Sequence, residues 1–262
     1  MPLTDVNVTG EPVQVAAAPF PSENAAAEAG FAAEKLYLDE RLAAAAALVA
    51  PGARVADVGC DHGKLSVYLA KSGRASRVLA IDVRPQPLEK ARRLVEKTGC
   101  GPLVECRLAD GLSCVLPGEV DTVILAGISG ITACQILEAA PWTKDAGVRI
   151  VAVPASKADV LRRWLAQNGY ALETELAAVA ADRPYTALAA RWDGNAFEPD
   201  ECHCRLGLLA RAEGQAAQAY RQKVLRQLER QLAGETAGAR YTQEERMALR
   251  ALCDEVKQLC NR

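Results

Sequence analysis

The chain of 262 residues has little of several features that mark large classes of protein. Aromatic residues make up only 5%, and no apolar run reaches the length that crosses a membrane. The first residues lack a basic segment followed by an apolar one, so we expect no secretory signal. The net charge of −2 argues against polyanion binding by the whole surface, although it is compatible with a local basic patch that binds RNA.

The nine cysteines have no repeated spacing that would indicate a disulfide framework. Their odd number and dispersion are typical of reduced thiols in a cytoplasmic protein. Cys202-His203-Cys204 comes closest to a metal-ligand set, but its ligands have single-residue spacing and no second pair follows at a useful distance. The sequence therefore predicts a cytoplasmic location and no metal site.

Hydrophobic residues make up 50% of the sequence, which is enough to form the packed core of an α/β domain with an appendage. Its organising stretch is residues 53–63, where the buried strand Arg54–Val58 is followed at once by Gly59 and Gly63. Leu65 to Ala70 then has a helical apolar pattern. A strand that ends in such a turn before a helix forms a ligand crevice at the carboxyl end of a parallel sheet.

The acidic residues of this turn indicate which ligand it binds. Asp61 occupies the second glycine position of the dinucleotide fingerprint, and no Walker lysine follows. A carboxylate repels a pyrophosphate but attracts an ammonium or a sulfonium. Asp57 and Asp61 therefore favour S-adenosylmethionine over NAD, the alternative being a plain strand-to-helix turn with no ligand.

Three later strand ends extend this crevice. Asp82, after the strand Arg77–Ile81, predicts a contact with ribose hydroxyls, or else a helix cap before Pro85. Asp110 follows the strand of residues 103–107 and predicts a contact with an adenine amino group, or else a turn aspartate.

The fourth strand, Val120–Ala126, is almost continuously apolar, as in a central parallel strand. It ends in Gly127-Ile128-Ser129-Gly130, which leaves room for a flat base beside the first loop, the alternative being a tight connection to the next helix.

The remaining pattern predicts a strand, a helix, a closing β-hairpin and a C-terminal helical appendage. Thr242 and Glu245 fit a capping box for the last helix, and the two final helices predict an antiparallel hairpin of coiled-coil type with a basic surface. The predicted elements are the helices 38–49, 86–96, 131–139, 158–167, 204–232 and from 241, and the strands 148–153, 170–179 and 185–192, with a turn at Asp182-Arg183-Pro184.

Strand–helix alternation that ends in a β-hairpin predicts a Rossmann-like methyltransferase core in an α/β fold. The predicted organisation is a disordered extension (1–34), the core (35–195) and the helical hairpin (200–262).

Several stretches resemble the bacterial tRNA (adenine(22)-N1)-methyltransferase family. They are Leu38 to Leu42, Val55 to His62, Asp121 to Gly130 and Leu161 to Leu165 with Asn168-Gly169-Tyr170. The Asp61-His62 pair after the first glycine, together with the early Leu-Asp-x-Arg-Leu, is the most specific part. The chain differs from the family pattern at Ile128, Ser129 and Ala155, on the substrate side of the pocket, and at Gly63-Lys64.

The resemblance implies a Rossmann-like class I methyltransferase core, S-adenosylmethionine as cofactor, tRNA as partner and methyl transfer to N1 of an adenine. The residues expected to bind the cofactor are Asp57, Gly59, Cys60, Asp61, His62, Gly63, Asp82, Val83, Ala109, Asp110, Gly111, Ala126 and Gly127. The residues expected near the substrate or its phosphates are Arg41, Gly130, Pro154, Arg162 and Arg163. Asp61, Ser129 and Tyr185 are the candidates for a polar group that relieves positive charge on the methylated ring.

Two other functions are compatible with the same core. One is methylation of a small molecule, against which the basic hairpin argues mildly. The other is binding of S-adenosylmethionine or RNA without catalysis, because the substrate-side loops depart from the family pattern.

Overall fold

The computed structural model describes residues 36–235 and 241–261, so the extension expected at residues 1–34 lies outside the described part. The helices are α1 (Glu40–Ala47), α2 (Lys64–Lys71), α3 (Pro85–Lys97), α4 (Gly130–Glu138), α5 (Ala158–Gln167), α6 (Glu201–Leu206), α7 (Gln215–Glu235) and α8 (Gln243–Cys260). The strands are β1 (Ala53–Val58), β2 (Ala75–Asp82), β3 (Val104–Leu108), β4 (Thr122–Ala126), β5 (Arg149–Val153), β6 (Tyr170–Ala180) and β7 (Arg183–Trp192).

The seven strands form one sheet in the order β3-β2-β1-β4-β5-β7-β6. The first five strands pair in parallel, and β7 pairs antiparallel with both β5 and β6. Because β1 and β4 are neighbours although two strands separate them along the chain, the order reverses between them. A crevice opens at such a reversal, beyond the carboxyl ends of the strands. This order confirms the predicted Rossmann-like methyltransferase fold.

Side chains alternate across the sheet and form one apolar layer on each face. Val55 packs with the layer that contains Leu69 of α2, whereas its neighbour Ala56 packs with the layer that contains Leu137 and Leu165. Both strand residues are fully buried. Burial on both faces explains why the central strands read as nearly continuous apolar runs.

The closing hairpin is confirmed, but its turn lies one residue earlier than predicted. Ala181 and Asp182 both have left-handed backbone conformations, with φ of 46° and 59°, and β7 already begins at Arg183. Two consecutive residues with positive φ form the two-residue turn whose twist matches the paired strands.

The single long helix expected at residues 204–232 is wrong, because the structure divides it into α6, a 3₁₀ turn over Gly207–Ala210, and α7. Gly207 has a φ of 55°, and a Cβ atom at this position would overlap the Glu175 carboxylate. The last helix is capped as predicted, since Thr242 and Glu245 form a capping box. Helices α7 and α8 share an apolar cluster around Leu228 and Val256. The coiled-coil geometry of this hairpin and the limits of the domains stay predictions.

A buried ion pair joins the helical appendage to the sheet. Arg162 of α5 and Glu175 of β6 have fully buried side chains, and Nη2 of Arg162 donates to Oε1 of Glu175 over 2.6 Å. Arg162 also donates to the carbonyl of Cys204, and the amide of Leu208 donates to Oε2 of Glu175 over 2.8 Å. The prediction that Arg162 contacts RNA phosphates is therefore wrong, because its guanidinium is enclosed and fully paired.

Candidate functional site

A cleft of about 530 Å³ lies at the carboxyl ends of β1, β2 and β4, where the fold predicts a ligand. We call it the strand-end cleft. It brings together every residue predicted to bind the cofactor except Gly63, and it includes Arg41. Its lining is Asp39, Arg41, Leu42, Asp57, Val58, Gly59, Cys60, Asp61, His62, Lys64, Leu65, Ile81, Asp82, Val83, Arg84, Ala109, Asp110, Gly111, Ala126, Gly127, Ile128, Thr132 and Ile136.

The loop after β1 is fixed by its neighbours. The amides of Gly59 and Cys60 both donate to the carbonyl of Ile81, over 2.8 and 2.9 Å, at the end of β2. Gly59 has a φ of 73°, and a Cβ atom there would lie 3.3 Å from Cγ2 of Ile128 in the loop after β4. The two glycine loops are therefore adjacent, as the sequence predicted.

Gly63 differs from the other predicted cofactor residues because it lies behind the cleft. A Cβ atom at Gly63 would lie 2.9 Å from Cβ of Ala91, so the glycine allows α2 to approach α3. It also precedes α2 as an N-terminal cap without a side-chain hydrogen bond. The free amides of a first helical turn carry partial positive charge. Lys64 and Leu65 of this turn line the cleft.

Asp57 is the buried carboxylate of the cleft. Its side chain accepts a hydrogen bond of 2.6 Å from Oγ of Ser66, and the residue is 2% exposed. Burial raises the pKa of Asp57 to about 6, while the bonds to Ser66 oppose that shift and the charge of Asp82 adds to it. A buried carboxylate whose hydrogen-bond partner is an uncharged serine favours a cationic ligand group, which would restore its charged form.

Asp82 occupies the end of β2 and holds the loops around it. Oδ2 accepts from the amide of Asp61 over 3.1 Å, and Oδ1 accepts from the amide of Arg84 over 2.8 Å. Oδ1 also accepts from Nε of Arg84 over 3.4 Å, whereas Oδ2 has a second lone pair that can accept from a ribose hydroxyl. Val83 follows directly and is 60% exposed, which leaves an apolar surface beside this acceptor for a flat base.

The polar residues of the first loop form an exposed chain. Asp61 has a left-handed φ of 49°, and its carboxylate lies 3.5 Å from Nη2 of Arg84 and 3.7 Å from Nδ1 of His62. Nε2 of His62 lies 3.4 Å from Nζ of Lys90. Burial raises the pKa of the Cys60 thiol, so Cys60 lines the cleft as a neutral side chain.

The opposite wall carries the predicted adenine and substrate positions. Asp110 is exposed at the cleft, and a Cβ atom at Gly111 would lie 3.2 Å from Cγ1 of Ile136. A Cβ atom at Gly127 would lie 3.3 Å from Nη1 of Arg41, so this glycine leaves space for the guanidinium.

Arg41 links the strand-end cleft to Tyr185. Its guanidinium pairs with Asp39 over 3.2 Å and lies 5.7 Å from the centre of the Tyr185 ring, within the range of a cation–π contact. Nζ of Lys223 lies 5.5 Å from the same ring. Tyr185 therefore lies between two cations, and it belongs to a second cleft, not to the strand-end cleft.

Four other predicted residues lie outside the strand-end cleft. Ser129 is the N-cap of α4 and accepts from the amide of Ile131. A Cβ atom at Gly130 would overlap the carbonyl of Lys157, so Gly130 allows two loops to pack. Pro154 lines the second cleft. Arg163 is one-third exposed and pairs with Glu198 and Glu201.

The sequence reading missed several residues of this site. Thr132 and Ile136 line the cleft from α4. Arg84, which follows β2, lies 3.5 Å from the carboxylate of Asp61 and 3.4 Å from that of Asp82. Helical spacing was the available signal for α4, because positions 128, 132 and 136 lie on one face.

Within residues 36–235 and 241–261, no group of three or more His, Cys, Asp or Glu side chains is arranged to hold a metal ion. No helix in that part of the chain is long and apolar enough to cross a membrane.

Known proteins share this architecture. The tRNA (adenine(22)-N(1))-methyltransferase of Bacillus subtilis is 33% identical over 156 residues, which cover 60% of this chain and 66% of that protein. The crystal structure of the B. subtilis M1A22 tRNA methyltransferase TrmK has 26% identity and a TM-score of 0.73, and the match covers 86% of this chain and all of that one. A putative tRNA (m1A22) methyltransferase of Streptococcus pneumoniae, solved in complex with S-adenosyl-L-methionine, has 27% identity, the same coverage and a TM-score of 0.71.

These similarities confirm the resemblance that the sequence indicated. The family described as "Methyltransferase domain" matches residues 38–188, which are more than half of the chain and include the whole strand-end cleft. The chain therefore belongs to the methyltransferase-domain family.

Proposed function

We propose that this protein is an S-adenosylmethionine-dependent methyltransferase that acts on N1 of an adenine in cytoplasmic tRNA. The observation that carries the proposal is the convergence of Asp57, Asp82 and Asp110, from three different strand ends, on one cleft that also contains Arg41. The similarity to tRNA methyltransferases over almost the whole described chain supports the choice of substrate.

The residues of the strand-end cleft fit S-adenosylmethionine. Asp57 and Asp61 supply negative charge for its ammonium group, Asp82 supplies acceptors for its ribose, and Val83 and Asp110 supply an apolar surface and an acceptor for its adenine. Within the described residues, Asp57 has a hydroxyl partner but no cation. When bound, S-adenosylmethionine supplies a methyl group on a sulfonium. A nucleophile with a free lone pair can take this methyl group without a base, and the sulfur leaves as a neutral thioether.

The protein's contribution to this chemistry is position and electrostatics. N1 of adenine carries a free lone pair at neutral pH, so no side chain has to remove a proton before the N–C bond forms. The ring gains a positive charge as the S–C bond breaks. Of the candidates for relieving it, we favour the Tyr185 hydroxyl, because the Tyr185 ring contacts Arg41, whereas the Asp61 carboxylate lies beside Arg84 and is assigned to the ammonium group. Ser129 is a weaker candidate, because its hydroxyl already accepts from the amide of Ile131.

The target base has to leave its stack to reach the cleft, as for other enzymes that modify a base. Arg41 and Gly127 lie on the side of the cleft that faces away from Asp82 along the sheet, because β4 lies on the other side of β1. We therefore assign this side to the adenine.

The test is methyl transfer from labelled S-adenosylmethionine to an unmodified tRNA transcript, followed by nucleoside analysis. We expect 1-methyladenosine as the product. A transcript with guanine in place of adenine 22 is the matched control, because the B. subtilis relative is named for that position. Cofactor binding by calorimetry without methyl incorporation into any tRNA would contradict the proposed substrate while preserving the methyltransferase assignment.

A further inference from the structure

A second cleft, of about 470 Å³, lies between the sheet and α7, and we call it the hairpin cleft. Residues 154–159, which follow β5, form one wall together with Tyr185 and Thr186 of β7. Residues of α6 and α7 form the other wall, among them Arg205, Lys223, Arg230 and Gln231.

The hairpin cleft is separated from the strand-end cleft by one pair of loops. The amide of Gly127 donates to the carbonyl of Val153, and the amide of Ala155 donates to the carbonyl of Ile128. Ser129 and Ser156 form an isolated parallel β-bridge. These bonds attach the loop after β4 to the loop after β5. The hairpin cleft is therefore adjacent to the side of the strand-end cleft that we assign to the target adenine.

The lining of the hairpin cleft is basic although the whole chain is slightly acidic. Four cations line it, namely Lys157, Arg205, Lys223 and Arg230, against the single carboxylate of Asp159. That carboxylate already pairs with Arg205 over 3.4 Å. Lys157 and Arg230 are exposed and have no ion pair with any residue that the structure describes.

One buried polar atom on the lining residues lacks a partner within the described chain, namely Oε1 of Gln231, an acceptor. Nε of Arg205 also makes no hydrogen bond there, but it lies 3.8 Å from Oε2 of Glu201 and so faces a carboxylate. Unpaired buried polar atoms are uncommon in folded proteins, and each has to be explained. A nucleotide, which carries hydrogen-bond donors beside its phosphate, would supply a donor to Gln231.

Helix α5 begins at the same cleft. Its N-cap, Lys157, makes no side-chain cap, as is also true of α2 and α3. The N-termini of α1, α4, α6 and α8 are capped by the side chains of Asp39, Ser129, Asp200 and Thr242. Free amides at a helix N-terminus attract phosphate. The uncapped terminus and the unpaired cations act in the same direction.

We infer that the hairpin cleft is a binding subsite for an RNA phosphodiester next to the target adenine, with Lys157 and Arg230 as its phosphate contacts. Gln231 accepts from a base or ribose donor of the same nucleotide. The inference rests on the proposed function for the identity of the RNA. The phosphate contacts are thereby assigned to Lys157 and Arg230 in place of Arg162, which is buried, and Arg163, which pairs with glutamates.

The test measures tRNA binding and methylation by the full chain with Lys157→Ala, with Arg230→Gln and with both changes. Each single change removes one phosphate contact, so we expect the Kd and KM for tRNA to rise about tenfold. The slope of log K against log salt should decrease by about 0.7 for each contact in a single-stranded region. Both variants should retain the affinity for S-adenosylmethionine, because neither residue lines the strand-end cleft.

Two matched variants separate this subsite from general charge effects. Arg230→Lys retains the charge and should retain the salt slope. Lys71→Ala removes an exposed cation from the C-terminal end of α2, at the opposite edge of the sheet, and should leave tRNA binding unchanged. If Lys157→Ala and Arg230→Gln behave like Lys71→Ala, the inference is wrong.

The outcomes also separate the inference from the proposed function. Wild-type protein that methylates adenine while the variants bind tRNA normally contradicts only the subsite. Wild-type protein that binds tRNA without methylating it contradicts only the proposed reaction, and the variants still test the subsite by their Kd values. Wild-type protein that binds no RNA contradicts both.

Discussion

Asp57 and Glu175 are carboxylates with the same small exposure, 2%, but their surroundings differ. Glu175 accepts from Arg162, Thr186 and the amide of Leu208, so its charge is compensated and its oxygens are occupied. Asp57 has the uncharged Ser66 as its partner, and burial raises its pKa to about 6. We call the ion pair of Arg162 and Glu175, with its bonds to the helical appendage, the joint. The joint is complete in the folded chain, whereas Asp57 belongs to a site that a ligand completes.

The largest expected effect is loss of the joint. Glu175→Gln leaves the enclosed guanidinium of Arg162 without its carboxylate, and breaking a buried ion pair from one side costs about 3–5 kcal/mol. We expect that loss in the free energy of unfolding measured with urea. Arg93→Ala, which breaks an exposed pair with Glu89, should change stability by less than about 0.5 kcal/mol.

A double variant sharpens this result. Arg162→Met with Glu175→Leu removes both charges, so it should be much less destabilising than Glu175→Gln alone. Equal destabilisation by the single and double variants would show that packing, not charge pairing, holds the appendage to the sheet.

Replacing the carboxylate of Asp57 by an amide should raise the free energy of unfolding, whereas the same replacement at Glu175 should lower it. The pKa of Asp57 in the folded protein lies above its unfolded value of 3.8, so the folded state binds more protons between these values and loses stability as pH rises towards 6. Asp57→Asn removes that penalty and should raise the unfolding free energy at pH 8 by up to about 3 kcal/mol.

The pH dependence provides the check. The gain from Asp57→Asn should decrease below pH 6 and vanish near pH 4, where the wild-type carboxyl is protonated in both states. The variant should also bind S-adenosylmethionine more weakly, by calorimetry. A variant that is less stable than wild type at pH 8 would show that Asp57 is not an unfavourable buried charge.

Asp82 should give a smaller free-energy effect. Asp82→Ala removes the acceptor for ribose and the acceptor that orients the amides of Asp61 and Arg84, so the Kd for S-adenosylmethionine should rise about 10- to 100-fold. Asp121→Ala is the control, because Asp121 accepts from Arg54 at the other edge of the sheet. Unchanged affinity in Asp82→Ala would exclude the ribose assignment.

The strand-end cleft could be predicted from the sequence because its residues belong to local strand–turn–helix units. Each acidic residue or glycine follows directly after an apolar strand, and parallel strands bring such positions to one edge. Helix α5 was even predicted with its observed bounds, since Asn168-Gly169 ends it and the strand β6 begins at once.

The joint could not be predicted in the same way, because its partners lie far apart in the chain. Arg162 looks like an exposed helix residue until β6 brings Glu175 and the appendage brings the Cys204 carbonyl. Gly207 and Gly214 were the available signals against one long helix from 204 to 232. The effect of Gly207 depends on the same ion pair, since this glycine leaves space for the Glu175 carboxylate.

The smallest effect concerns Lys157, which has a left-handed φ of 57° where glycine or asparagine is favoured. Lys157→Gly should relieve this conformation and change the unfolding free energy by up to about 1 kcal/mol towards greater stability. The same variant should bind tRNA more weakly, because it removes a cation from the hairpin cleft. Gly101, which has an exposed position and no neighbour within 4 Å of an added Cβ, supplies the control Gly101→Ala. A Lys157→Gly protein that is more stable and binds tRNA as tightly as wild type would show that the lysine is neither a structural nor an RNA-binding requirement, and the hairpin cleft would then belong with the completed joint instead of with the ligand sites.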